Sequence, residues 1–369
     1  MFQILERDSS DRIMQFRMRR PDNWHGHLRR GARMRAVVMY SAYYYARMTI
    51  MPNTGPIWTP VEALVYRQEI VDALIRQGFS KERAERFARM TVYLHQGTTE
   101  EDIRLAKEHD MDFKFYPKND KLGTTGSQAG VPTLFHVERA IASMEQYGVR
   151  LLVHGESATH PDVLDLERRF VEEQMAPLAD KYPNLHIVGE HLSTMEFVQF
   201  VQDASSNMTA TVTPQHLWYS VNSLFENGLR PHRYCLPLYK HREDLEAIIR
   251  AVTSGNKKFC AGDDTAPHPK EGPTGQAKLT DCGCAGAFVA PVSLPMYITA
   301  FEKAGALDQR FEDFMSVNGA VIRNLPLNED TITLERRPWV VANEYDFGNN
   351  DVVVPLCAGE TMEWRVVSH

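Results

Sequence analysis

The chain has 369 residues, of which 43% are hydrophobic and 24% charged, the proportions of a folded globular protein and not of a disordered one. A net charge of −7 with no Lys/Arg-rich run argues against a general nucleic-acid binder. The start, Met1 to Asp8, has no apolar signal core, and no run is long enough to span a bilayer, which predicts a cytoplasmic protein without membrane attachment.

In chain order, a first strand leads into Asn23-Trp24-His25-Gly26-His27-Leu28-Arg29. On extended backbone His25, His27 and Arg29 share a face. Two imidazoles so placed suit one metal ion, and an ordinary pair of surface or core histidines is the alternative. A strand is predicted over 47–51, stopped by Pro52-Asn53. A helix follows over 61–75, where Leu64, Val65, Ile70, Val71, Leu74 and Ile75 recur at helical spacing. Strand-like residues 90–94 precede a helix start at Thr99-Glu100-Glu101-Asp102. A strand over 112–116 ends at Pro117, and 118–130, rich in Gly, Thr and Ser, reads as a loop. The alternation continues with helices over 133–147, 161–181, 194–203 and 242–254. Strands are predicted over 149–154, 185–189, 208–212 and 257–261.

Strand–helix alternation predicts a parallel sheet with right-handed crossovers. About eight units fit, the number of a (β/α)8 TIM barrel. An open doubly wound sheet is the alternative, without the Gly-x-Gly-x-x-Gly turn that usually marks it. Residues 331–369 suggest short strands packed on the outside of the barrel, so that 1–369 forms one domain with a C-terminal extension. The five cysteines, Cys235, Cys260, Cys282, Cys284 and Cys357, are odd in number and scattered, which predicts free thiols.

The polar residues fall at strand ends: Asn53 after the second strand, His154 ending the fifth, His191 after the sixth and Asp264 after the eighth. Barrel enzymes carry their chemistry there. Singly, each has an ordinary structural reading; their coincidence at one end does not. Lys114, between Phe113 and Phe115 in the fourth strand, is costly if charged and unpaired. It has a lowered pKa, pairs with a carboxylate, or is modified; carbamylation would make it an anionic metal bridge.

The motifs Pro21 to Arg29, Met51-Pro52-Asn53, Lys114-Phe115-Tyr116-Pro117, Val153-His154-Gly155-Glu156, Glu190-His191 and Thr213-Pro214-Gln215-His216 occur in this order. Arg230-Pro231-His232, Tyr234-Cys235-Leu236-Pro237, Asp264-Thr265-Ala266-Pro267-His268, Cys282-Gly283-Cys284-Ala285-Gly286 and Ser316-Val317-Asn318-Gly319 follow. Together they resemble the dihydroorotase family, in its shorter bacterial and fungal form, within the amidohydrolase superfamily.

The resemblance implies two zinc ions per subunit. His25, His27 and Asp264 would hold the more buried one, His154 and His191 the second, and N6-carboxylated Lys114 would bridge them. It further implies that Arg29, Asn53 and His268 bind the substrate carboxylate. Backbone groups of Leu236, Ala285 and Gly286 would hold ring atoms, and Thr124 and Thr125 would sit on a closing loop. The implied reaction is the reversible cyclisation of N-carbamoyl-L-aspartate to L-dihydroorotate in pyrimidine biosynthesis, with Asp264 as acid/base, in a homodimer. The alternatives are another cyclic-amide hydrolase, of hydantoinase or allantoinase type, and a non-catalytic barrel scaffold.

The chain departs from the family pattern at several positions. Gly26 replaces a larger apolar residue, which predicts a looser corner beside the histidines. Arg30 replaces an aspartate. Asp263 adds a carboxylate beside Asp264 that either raises a neighbour's pKa or points away. His95, at the end of the third strand, reads as peripheral.

Overall fold

A computed structural model describes residues 1–118, 127–273 and 276–368. Its strands are β1 (Gln3–Arg7), β2 (Ile13–Arg19), β3 (Asn23–Gly26), β4 (Met48–Ile50), β5 (Ala88–Tyr93), β6 (Asp112–Phe115) and β7 (Leu151–His154). They continue as β8 (Ile187–Glu190), β9 (Met208–Val212), β10 (Phe259–Ala261), β11 (Thr331–Val340), β12 (Tyr345–Asp346), β13 (Val352–Val353) and β14 (Thr361–Ser368).

Strands β3 to β10 pair in sequence order as one parallel eight-stranded sheet, with helices in the connections. The sheet closes on itself where Asp264 N–H donates to His25 O (3.0 Å) and His27 N–H to Thr265 O (2.8 Å). This is a (β/α)8 barrel, and the doubly wound alternative falls. Helices cover the outside, so the strands are buried on both faces, and β6 to β9 contain no exposed residue. Local chemistry sets the helix starts. Pro60–Arg76 begins at a capping box in which Thr59 accepts from Glu62 N–H and Glu62 from Thr59 N–H. Its Ala63, Tyr66, Ile70, Val71 and Leu74 face the core. Glu100–Glu108 begins in the same way at Thr99 and Asp102.

The helix expected over 161–181 starts later, at Leu166. Pro161-Asp162 forms a turn instead, in which the Asp162 carboxylate accepts from Leu164 N–H (2.9 Å). Helices Gly31–Tyr44 and Ser293–Lys303 were not anticipated.

The tail forms more than loose extended segments. β11 pairs with β14 and with β2, giving an antiparallel sheet in the order β1-β2-β11-β14. Its buried Phe16, Met18, Ile332, Leu334 and Trp364 belong to the main core. Trp364 Nε1–H donates to Glu302 on helix Ser293–Lys303 (3.3 Å). The N-terminal strands are therefore half of the structure into which the C-terminal residues fold. No helix of the described residues is long and apolar enough to cross a membrane.

Candidate active site

The C-terminal ends of the barrel strands gather the polar residues around one cavity, with about 370 Å³ of empty space counted out to its mouth. Its walls include His25, His27, Arg29, Asn53, His154, His191, Asp264 and His268, with Leu236, Ala285 and Gly286. Tyr116 also lines it. Thr124 and Thr125 lie outside the described residues.

His25, His27 and Asp264 form one buried group, with candidate ligand atoms all within 4.8 Å of one another. Asp264 Oδ1 lies 3.3 Å from His25 Nε2 and 3.0 Å from His27 Nε2. A second pair faces it: His154 Nδ1 is 3.2 Å from His191 Nε2. Atoms bound at about 2.0–2.1 Å with tetrahedral angles lie roughly 3.3 Å apart, so both clusters have the spacing of cation ligands.

The outward ring nitrogens are held as a metal site requires. His27 Nδ1 bonds Asn53 Oδ1 (2.7 Å) and His154 Nε2 bonds Glu156 Oε2 (2.7 Å). His25 Nδ1 lies 3.1 Å from Glu190 Oε1. For His27 and His154 the acceptor draws the ring proton away from the cavity and turns a lone pair into it; the His25–Glu190 approach is an ion-pair contact. His191 Nδ1 has no hydrogen-bond partner among the described residues.

Electrostatics follow from burial. Burial alone would raise the Asp264 carboxyl, but His25 and His27 outweigh it and hold it well below the usual range. Burial and the neighbouring His154, His25 and Lys114 push His191 far down, toward the neutral ring a ligand needs. Lys114, fully buried, has its pKa lowered by burial against the opposing pull of Glu190. It ion-pairs with Glu190 in a short contact, so of the readings open for a buried lysine this structure contains the carboxylate pair. Glu190, which burial would raise, is held at about 2 by His25 and Lys114.

Glu190 and Glu156 stand inside motifs already picked out, next to and two residues from a histidine. Neither had been given a role. The signal was their spacing from a ligand histidine, since a carboxylate there can orient the ring.

Beside the histidines, Arg29 Nε donates to Pro267 O (2.6 Å) and Nη2 to His268 Nε2 (2.8 Å), both neutral acceptors. Burial lowers the guanidinium to about 10. A partly buried cation held by neutral groups suits an anionic ligand. Arg29 (φ 65), His191 (φ 42) and Asp264 (φ 48) all occupy the left-handed region, where a side chain costs about 1–3 kcal/mol unless the surroundings impose it. Such strain clusters at functional sites.

The corner at Gly26 is filled, contrary to expectation. A Cβ there would meet Met48 Cε at 2.0 Å, with Thr265 and Asp263 next nearest. The Met48 methyl thus occupies the volume a larger residue 26 would take. Gly26→Ala alone should cost about 1–3 kcal/mol by overpacking, and Gly26→Ala with Met48→Val should regain most of it. Equal melting temperatures for the two variants would refute this compensation.

Asp263 points away. Its Oδ1 accepts from Thr265 N–H (2.9 Å), and burial raises its pKa to about 7. Arg30 turns outward onto Glu69 (2.7 Å) and the Tyr66 ring. His95 lines a different surface pocket, with Trp58 and Lys118.

The chain is 44% identical to the dihydroorotase of Laribacter hongkongensis over 352 residues, covering 94% of this chain and 97% of that protein. It is 42% identical to that of Aromatoleum aromaticum over 353 residues, covering 94% and 98%. The chain belongs to the dihydroorotase family. A crystal structure of dihydroorotase from Campylobacter jejuni superposes with a TM-score of 0.82 at 29% identity, covering 96% of this chain and 97% of that one. No family model matches. Dihydroorotases are enzymes, cyclic amide hydrolases that depend on metal, and the His25–His27–Asp264 group is a possible metal site in this member.

Proposed function

We propose that this dihydroorotase interconverts N-carbamoyl-L-aspartate and L-dihydroorotate in pyrimidine biosynthesis at the cavity lined by His25, His27, Arg29, Asn53, His154, His191, Asp264 and His268. The observation that carries the reading is that four histidines and an aspartate at cation-ligand spacing share this cavity with a partly buried arginine. His25, His27 and Asp264 would hold one zinc ion and His154 and His191 a second, with Lys114, once carboxylated, between them. When bound, two such ions supply Lewis acidity and lower the pKa of a water toward about 7.

The chain's own residues account for the rest. Asp264 accepts the proton of the attacking water as the ring C–N amide bond breaks, and delivers it to the departing nitrogen. In ring closure it takes a proton from the ureido nitrogen and returns it to the departing carboxylate oxygen, which leaves as water with a second proton taken up from solvent. Arg29, Asn53 and His268 bind the carboxylate. Backbone groups of Leu236, Ala285 and Gly286 hold the ring. Residues 1–369 act as one domain, with 331–369 as its extension, in a cytoplasmic homodimer.

Assay against L-dihydroorotate, hydantoin and allantoin tests the substrate; preference for either of the last two would sink it. Stripping metal with a chelator should abolish turnover and zinc should restore it. Because carboxylation of Lys114 consumes CO2, reactivation should be faster and more complete in bicarbonate buffer than in CO2-free buffer. Equal recovery in both would count against the carboxylated bridge.

A further inference from the structure

Lys278 lies outside the group of residues assigned so far, yet it is buried, 4% exposed, beside the cavity wall. Its ammonium has three N–H donors, and three backbone carbonyls receive them: Tyr234 O (2.9 Å), Cys284 O (2.9 Å) and Gly286 O (2.8 Å). Among the described residues the charged and polar groups that act on it are Cys235, Cys284, Arg29, His232 and His268, with the Tyr234 ring 5.6 Å away, and no carboxylate is among them. Burial lowers its pKa to about 7. A buried ammonium with no counter-ion is expensive, and a purely structural tie between loops could be made by neutral groups.

The three carbonyls belong to two arms of the cavity wall. One arm carries Tyr234 and, two residues on, Leu236; the other carries Cys284, Ala285 and Gly286. Gly286 N–H also donates to Tyr234 O (3.0 Å), so that this single carbonyl takes bonds from both the lysine and the facing arm. Gly286 has φ +134, and a Cβ on it would lie 2.7 Å from Ala266 O and 3.0 Å from His268 Cδ2. The arm is therefore pressed against the segment that carries His268.

We propose that Lys278 is a positioning residue for substrate: it locks the backbone of Tyr234 to that of Cys284 and Gly286 and so sets the spacing of Leu236, Ala285 and Gly286. The assignment rests on the reading that these backbone groups hold the ring of dihydroorotate. A wall held at the wrong spacing weakens binding in ground and transition states alike, which raises KM and spares kcat.

The test is steady-state kinetics of zinc-loaded Lys278→Met with L-dihydroorotate, alongside zinc content and thermal unfolding. Methionine keeps the apolar stem and removes all three donors. The expected result is a KM raised about tenfold with kcat within about threefold of the unchanged protein and full zinc content. Lys278→Arg keeps the charge, but its planar fork cannot converge on three carbonyls. It should also raise KM, and it carries the comparison where the methionine variant does not fold. A KM within about twofold of the unchanged protein in either folded, zinc-loaded variant overturns the proposal. So does a loss confined to kcat. Absence of dihydroorotate turnover in the unchanged protein overturns the functional reading and this assignment with it, and is seen before any variant is made.

Discussion

Zinc-loaded Asp264→Asn should turn L-dihydroorotate over about 10²–10⁴-fold more slowly than the unchanged protein, the range for losing a positioned acid/base. The fold should stay intact. Asparagine has the volume of aspartate, and its carbonyl oxygen can take the place of Oδ1 beside His25 Nε2 and His27 Nε2. The left-handed backbone at Asp264, φ 48, also favours this exchange, because asparagine tolerates that region better than most residues. What the amide cannot do is accept a proton from water and hand it on. Zinc analysis of the same sample separates lost chemistry from lost metal. A kcat within about tenfold of the parent with zinc retained would remove Asp264 from the acid/base role.

The second large effect lies at Lys114 and Glu190, and it falls on stability and activity in different ways. In the metal-free protein, Lys114→Met removes one of the two cationic partners, His25 and Lys114, that hold the fully buried Glu190 carboxylate. Removing one partner of a buried pair costs about 3–5 kcal/mol, whereas replacing both by neutral groups is often near neutral. Lys114→Met should therefore lower the unfolding free energy by roughly that amount, and Lys114→Met with Glu190→Gln should recover most of it. Neither variant should turn over dihydroorotate with zinc present, because methionine cannot be carboxylated. Denaturant unfolding reads the first half and the zinc-loaded assay the second. A double variant no more stable than the single one would contradict the pairing argument, and an active Lys114→Met would contradict the bridge.

Much of this site is legible in the chain itself. A barrel strand exposes its C-terminal end to one common cavity, so residues following successive strands are neighbours whatever their separation in the chain. That rule gathers His25, His27, Asn53, His154, His191 and Asp264 around a single pocket from their strand positions alone. The helix start at Thr99 was legible for a similar reason: a capping box closes over four consecutive residues and needs no distant partner.

The rest depended on contacts between segments far apart in sequence. Strand β2 pairs on one edge with its neighbour β1 but on the other with β11, more than three hundred residues on, a pairing that local sequence does not announce. Met48 fills the space above Gly26 because β3 and β4 are adjacent in the barrel, and neither residue announces this by its type. Glu190 meets both Lys114 and His25 only once β8, β6 and β3 curve around one axis. The left-handed backbone at Arg29, His191 and Asp264 is a property of the folded chain that residue type alone does not fix. Chain periodicity and residue type thus decide the barrel, its cavity and the chemical kind of its lining, because these follow from rules of one strand and one helix at a time. Ring orientation, the partner of Lys114, the filling of the Gly26 corner and the three carbonyls around Lys278 are decided by closure of the barrel, which alone sets distances between groups that the chain keeps apart.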